Sequence, residues 1–240
     1  MDEWIRELAE ELRKRGCGER GVRVSVGRPG LRAVVEELLG WCGSVEVAAA
    51  ELPPLVTASY GPVTVLGYPL GGELASLVLG VWDATMRRNM AGRLLEGLAG
   101  LEGFCVGERG AGCRYRVRLE ALPRSVHLAT TPDCGYCPFA FIALSSLAWH
   151  AGIRLHAYCI SDDAEEGRFT AEDVAAAFAA ATGVEPDSVP LAVAGGGVVL
   201  GAPTDSAAAL ARYLYELGAV EGFGSAREFI AALQLAGVLG

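Results

Sequence analysis

The feature that most constrains this chain is a pair of cysteines two residues apart, Cys134-Gly135-Tyr136-Cys137, followed at once by Pro138. The run Ser125-Val126-His127-Leu128-Ala129-Thr130 precedes the pair, and an apolar stretch from Pro138 to Ala151 follows it. This pattern predicts a strand, a short loop and a helix. Pro138 fits a first helical turn, where a missing N–H costs little.

A thiol at a helix start meets unpaired backbone N–H groups and the positive end of the helix dipole. Both favour the thiolate and bring its pKa from ~8.5 into the range of roughly 3.5–7.5. Such a thiolate attacks a substrate disulfide, and a second thiol one turn along resolves the mixed disulfide. Cys134, at the loop tip, is therefore the expected nucleophile, and Cys137 the expected resolving thiol. Tyr136 is expected to shape the surface beside them. Asp133 is expected to raise the Cys134 pKa if its carboxylate faces the sulfur.

Two other readings of the pair stand beside this one. A structural zinc site generally needs four ligands. Cys105 and Cys113 are too widely spaced for a tight knuckle, and His127, His150 and His156 have no partner spacing with the pair. No metal and no bound cofactor are expected, the cysteine pair being the redox group itself. An inert structural disulfide is the second alternative.

Composition narrows the function class. Just over half of the 240 residues are hydrophobic, which supports a packed core. No uninterrupted apolar run approaches the ~18–20 residues of a membrane helix. The start, Met1-Asp2-Glu3-Trp4-Ile5-Arg6, alternates charge rather than forming a basic, then apolar, secretory leader. A soluble, cytoplasmic protein without a membrane partner is the expectation. The net charge of −9 argues against nucleic acid as a partner. A short basic strip, Arg114, Arg116 and Arg118, reads as the solvated face of a strand. In a reducing cytosol a tight cysteine pair is more often catalytic or metal-binding than structural.

Along the chain, helices are predicted over 3–15, 31–41 and 72–87, with strands at 21–26, 45–47, 55–60 and 63–66. Residues 88–122 contain a helix near 93–98, a loop-like Gly-rich stretch over 97–112 and a short strand at 115–119. In the second half, strands are predicted at 125–130, 153–160, 191–194 and 198–200. Helices are predicted at 138–151, 170–182, 205–217 and 226–238. The order β, α, β, α, β, β, α closes on a last helix.

The halves repeat weakly. Pro54, Gly61-Pro62 and Gly67-Tyr68-Pro69 match Pro190, Gly196-Gly197 and Gly201-Ala202-Pro203 in spacing. The division read from this is 1–100, a linker over 101–122, and 123–240.

The segment Thr130-Thr131-Pro132-Asp133-Cys134-Gly135-Tyr136-Cys137-Pro138, with Val189-Pro190 and Gly201-Ala202-Pro203, resembles the C-terminal half of the archaeal protein disulfide oxidoreductases. These are glutaredoxin-like proteins with two tandem thioredoxin folds. Gly67-Tyr68-Pro69-Leu70-Gly71-Gly72-Glu73 resembles the matching segment of their N-terminal half. The resemblance implies an α/β fold of two thioredoxin-like units, each a central mixed sheet flanked by helices. It implies Cys134 as nucleophile, Cys137 as resolving cysteine and Pro190 as a cis proline, with Val189 and Pro190 binding substrate. From sequence alone the Val189–Pro190 bond reads as trans, since only ~5–6% of X–Pro bonds are cis.

Family members often carry a CxxC in each half. Here Arg28-Pro29-Gly30 stands where the first pair is expected, and Cys17 and Cys42 lie elsewhere. The first half is read as redox-silent. A similar pairing of one active and one silent unit occurs in the N-terminal domain of the flavoprotein component of alkyl hydroperoxide reductase. The expected function is thiol–disulfide exchange with protein substrates, with electrons from a thioredoxin-reductase-like flavoenzyme or passed to a peroxiredoxin. The alternatives are a redox sensor or metal clip that regulates a partner, and an electron carrier to a peroxidase. Among the remaining residues, Cys159 reads as a buried small hydrophobe and His127 as a structural histidine. Trp149 and His150 are expected to pack, and a Cys105–Cys113 bridge across the Gly-rich loop is left open.

Overall fold

The computed structural model describes residues 22–26, 45–49, 57–67, 89–107, 112–160 and 171–239, and single positions within 6–14 and 33–41. The expected helix over 72–87, the segment Tyr68-Pro69, Arg28-Pro29-Gly30, Cys17 and Cys42 all lie outside the described residues.

Short β-branched and apolar runs form strands β1 (Val22–Val26), β2 (Val45–Ala49), β3 (Thr57–Tyr60) and β4 (Val63–Gly67). Helix α1 (Asn89–Ala99) and strands β5 (Phe104–Val106) and β6 (Tyr115–Val117) follow. Then come β7 (Ser125–Thr130), α2 (Cys137–Ala151), β8 (Arg154–Cys159) and α3 (Ala171–Thr182). Strands β9 (Leu191–Ala194) and β10 (Gly197–Leu200), helix α4 (Ser206–Glu216), β11 (Val220–Glu221) and helix α5 (Ala226–Leu235) complete the chain.

Eight strands form one mixed sheet in the order β10-β9-β7-β8-β4-β3-β1-β2. Its two quartets have the same order. In each, the first strand pairs in parallel with the second and antiparallel with the third, and the third pairs antiparallel with the fourth. The weak sequence repeat is therefore a repeat of topology. In the second quartet helices α2, α3 and α4 occupy the thioredoxin-type connections, so the fold is α/β with tandem thioredoxin-like sheets. The quartets join where β4 pairs in parallel with β8, Val63 beside Leu155 and Gly67 beside Cys159.

Strand β7, between β8 and β9 in the sheet, is covered on both faces. Val126 and Leu128 enter the main core with Leu144 and Leu147 of α2, Leu214 of α4 and Phe229 of α5. Ala129 faces a smaller cluster made by Tyr158, Val174, Phe178, Leu191 and Val193. The side chains of Leu128, Leu144 and Phe178 are fully buried, and each stabilises the fold by roughly 1.5–3 kcal/mol relative to exposure.

Residues 101–122 carry more structure than a linker needs. Strands β5 and β6 pair in parallel, and β6 pairs antiparallel with β11, making a second sheet of three strands. Phe104, Tyr115, Phe223 and Phe229 pack beneath it, with Tyr115 and Phe223 stacked at 4.3 Å.

Candidate active site

The end of β7 is fixed by its neighbours. The Thr130 carbonyl accepts from the Ile160 N–H at 2.8 Å, and the Thr130 hydroxyl donates to the Tyr158 carbonyl at 3.2 Å. The chain then turns through Pro132 and Asp133 to Cys134, whose N–H donates to the Thr131 carbonyl at 3.4 Å. Helix α2 starts at Cys137 with proline in its first turn, and ends at Gly152, a left-handed residue at φ 71°. Its apolar residues lie all round the axis, so it is held in the core rather than on the surface.

Cys134 and Cys137 are joined as a disulfide, with their Cα atoms 5.4 Å apart. The two sulfurs are not equivalent. Cys137 is only 4% exposed, whereas Cys134 is half-buried and stands at the surface. The Cys137 backbone N–H is shared between the Cys134 carbonyl at 3.2 Å and Cys134 Sγ at 3.1 Å. This is one of the N–H groups that a helix start leaves without an intrahelical acceptor. A negative sulfur at Cys134 accepts from it more strongly than a neutral one. Tyr136 flanks the pair, 53% exposed. Asp133 is exposed to solvent.

The Val189–Pro190 peptide bond is cis, against the ordinary preference of such bonds. Ala129 of β7 lies beside Leu191 of β9 in an antiparallel pair. Pro190 directly precedes Leu191 and Thr130 directly follows Ala129, so both stand at the sheet end from which Cys134 emerges. Pro190 is buried and its carbonyl accepts from the Gly201 N–H at 2.8 Å. Val189 is half-buried against the smaller core cluster. The structure thus brings Cys134, Cys137, Tyr136, Val189 and Pro190 to one end of the second quartet.

His127 belongs to a different group. It stacks on His156 at 4.9 Å between ring centroids, and its Nδ1 lies 3.0 Å from the Tyr158 hydroxyl. Burial, and then the neighbouring His156, push the His127 pKa below its usual value. Burial, and then Arg154, do the same to His156. Both lie on the α3 face of the sheet, the face of Ala129 and Tyr158. Sequence reading missed this group, although the two-residue alternation of β8 places His156 and Tyr158 on one face.

Cys159 is a buried thiol. Cys105 and Cys113 are joined as a second disulfide. No group of three or more His, Cys, Asp or Glu side chains among the described residues is arranged to hold a metal ion. An open cleft of about 540 Å³ lies at the opposite end of β7 and β8, lined by Arg124, Arg154 and His156 among others. No helix among the described residues is long and apolar enough to cross a membrane.

No protein-family model and no curated protein matches the chain. Solved structures do. A protein disulfide oxidoreductase from Aeropyrum pernix K1 is 20% identical, with 89% of this chain and 90% of that chain covered and a TM-score of 0.47. The alkylhydroperoxide reductase protein AhpF from Enterococcus faecalis is 15% identical, with 89% and 97% covered and a TM-score of 0.46. The NTD_N/C domain of AhpF from the same organism is 15% identical, with 95% and 97% covered and a TM-score of 0.39. At these identities and scores the likenesses do not say what this chain does.

Proposed function

We propose that this chain is a thiol–disulfide oxidoreductase that exchanges disulfides with protein substrates through Cys134 and Cys137. The observation that carries this reading is the asymmetry of the pair: a half-buried Cys134 whose sulfur faces a helix-start N–H, and a buried Cys137 behind it.

In the reducing direction, the Cys134 thiolate attacks one sulfur of a substrate disulfide. The departing sulfur takes a proton, and a mixed disulfide remains on Cys134. Cys137, deprotonated, attacks Cys134 Sγ and displaces the second substrate thiol. The substrate gains two electrons and two protons, and the Cys134–Cys137 disulfide is formed. Tyr136 and Val189-Pro190 form the surface against which an extended substrate segment lies. Electrons return from a thioredoxin-reductase-like flavoenzyme, and a peroxiredoxin is a fitting downstream acceptor. The protein works in the cytoplasm, and the dithiol is its only redox group for this cycle.

The test is a pair of variants assayed for insulin disulfide reduction. Cys134→Ser is expected to abolish turnover. Cys137→Ser is expected to accumulate a mixed disulfide on Cys134, seen by mass after acid quenching. Full turnover by Cys134→Ser would sink the mechanism.

A further inference from the structure

The second disulfide lies in a setting that the first does not share. Phe104 and Tyr115 face each other in the paired strands β5 and β6 and pack into the aromatic cluster. Side chains alternate along a strand, so Cys105 and its pairing partner Arg116 share the opposite, outer face. Across Arg116, strand β11 brings Glu221 to the same face. Glu221 is engaged by Arg118 in an ion pair. Arg116 Nε is buried with no acceptor. Neither Cys105 nor Cys113 is buried.

An orphaned buried donor is costly. Arg116 is the cross-strand partner of Cys105 on the same face, so a thiolate formed at Cys105 would offer its guanidinium an acceptor. Among the described residues of β6 and β11, the face also carries Arg116 and Arg118 against the carboxylate of Glu221, a positive excess within a chain of net charge −9. Adjacent Arg lowers a thiol pKa, and the thiol of lower pKa leaves faster from a disulfide.

We propose that Cys105–Cys113 is a second thiol–disulfide exchange site, opened by small thiols that carry a carboxylate or phosphate, with Cys105 leaving as a thiolate held by Arg116. The incoming thiolate attacks Cys113 Sγ, the Cys105–Cys113 bond breaks, and Cys105 departs with the electron pair. A second small thiol attacks the mixed disulfide on Cys113. It releases the oxidised small-molecule disulfide, and the displaced Cys113 thiolate takes a proton. Two small thiols are oxidised by two electrons in all, and one protein disulfide is reduced. The site is independent of Cys134 and Cys137.

The experiment places the full chain in buffers of reduced and oxidised glutathione, quenches with acid, and locates each thiol and adduct by peptide mass. The expected adduct is glutathione on Cys113. Arg116→Gln is expected to lower the equilibrium constant for opening by roughly tenfold, about 30 mV for a two-electron couple, and Arg116→Lys to restore most of it. With wild-type protein, glutathione is expected to open the bond faster than the cationic thiol cysteamine at equal thiolate concentration. The bond staying closed where Cys134–Cys137 is fully reduced would make it a structural staple and overturn the proposal. So would adducts on Cys105, equal rates with the two thiols, or an Arg116→Gln protein with an unchanged equilibrium.

Discussion

Gly61 sits in the turn between β3 and β4 at φ +54°, and a Cβ built there would run into the indole of Trp149, on helix α2. The adjoining Pro62 carbonyl accepts from the Leu155 N–H at 2.9 Å. The turn of one quartet is therefore seated on the helix that begins at Cys137 and on the strand β8 that follows it. Replacing Gly61 by alanine has two costs. The left-handed backbone is unfavourable for a residue with a Cβ by about 1–2 kcal/mol. Forcing a methyl group into the indole costs a further ~1–3 kcal/mol. The expected total is roughly 2–5 kcal/mol. At about 2–4 °C per kcal/mol for a chain of this size, Tm should fall by roughly 4–20 °C. Thermal and urea unfolding followed by circular dichroism measure it. The two terms separate in a Trp149→Leu background, where only the backbone cost remains, giving a coupling of about 1–3 kcal/mol. A Gly61→Ala protein of unchanged stability, or one with the same loss in both backgrounds, would refute the seating of this turn on α2.

Two further outcomes are expected. Asp205 caps α4, accepting from the Ala208 N–H at 2.7 Å, so Asp205→Ala should cost about 1 kcal/mol in urea unfolding at neutral pH, and Asp205→Asn much less. His127 and His156 both have folded-state pKa values below the usual 6.5, so the unfolded chain binds more protons than the folded one once the pH drops below that value. Their contribution is present above pH ~6.5 and is lost as the pH falls through the lowered folded values. A double His127→Gln, His156→Gln protein should therefore show a shallower fall in stability than wild type below pH ~6.5, and equal slopes would contradict the assignment.

The second half of the chain was legible because local signals and burial agree there. The alternation of 125–130, the apolar run after Cys137 and the helical pattern over 205–217 each mark an element that the structure contains. The repeat of Pro, hairpin and Gly-x-Pro reflects a real recurrence of strand order. What could not be read depends on contacts distant in sequence. Strands β5 and β11 have three and two residues, too few for a period to show, and exist through their pairing with β6. The Cys105–Cys113 bridge joins β5 to the segment just before β6, and spacing alone does not give connectivity. The His127, His156 and Tyr158 group required the β7–β8 register, which brings residues 29 positions apart side by side. The candidate site was legible in Cys134 and Cys137, because the motif is local. The cis geometry at Pro190 is a matter of register and packing, which bare sequence does not carry.

The central claim is that the two sulfurs of one pair have different jobs. The most direct measurement is the rate at which each is alkylated by iodoacetamide in the reduced protein, resolved by peptide mass and followed against pH. Cys134 is expected to react much faster than Cys137, with a half-maximal rate below the ordinary thiol value of ~8.5. Equal rates, a faster Cys137, or a Cys134 profile centred at or above ~8.5 would contradict the account.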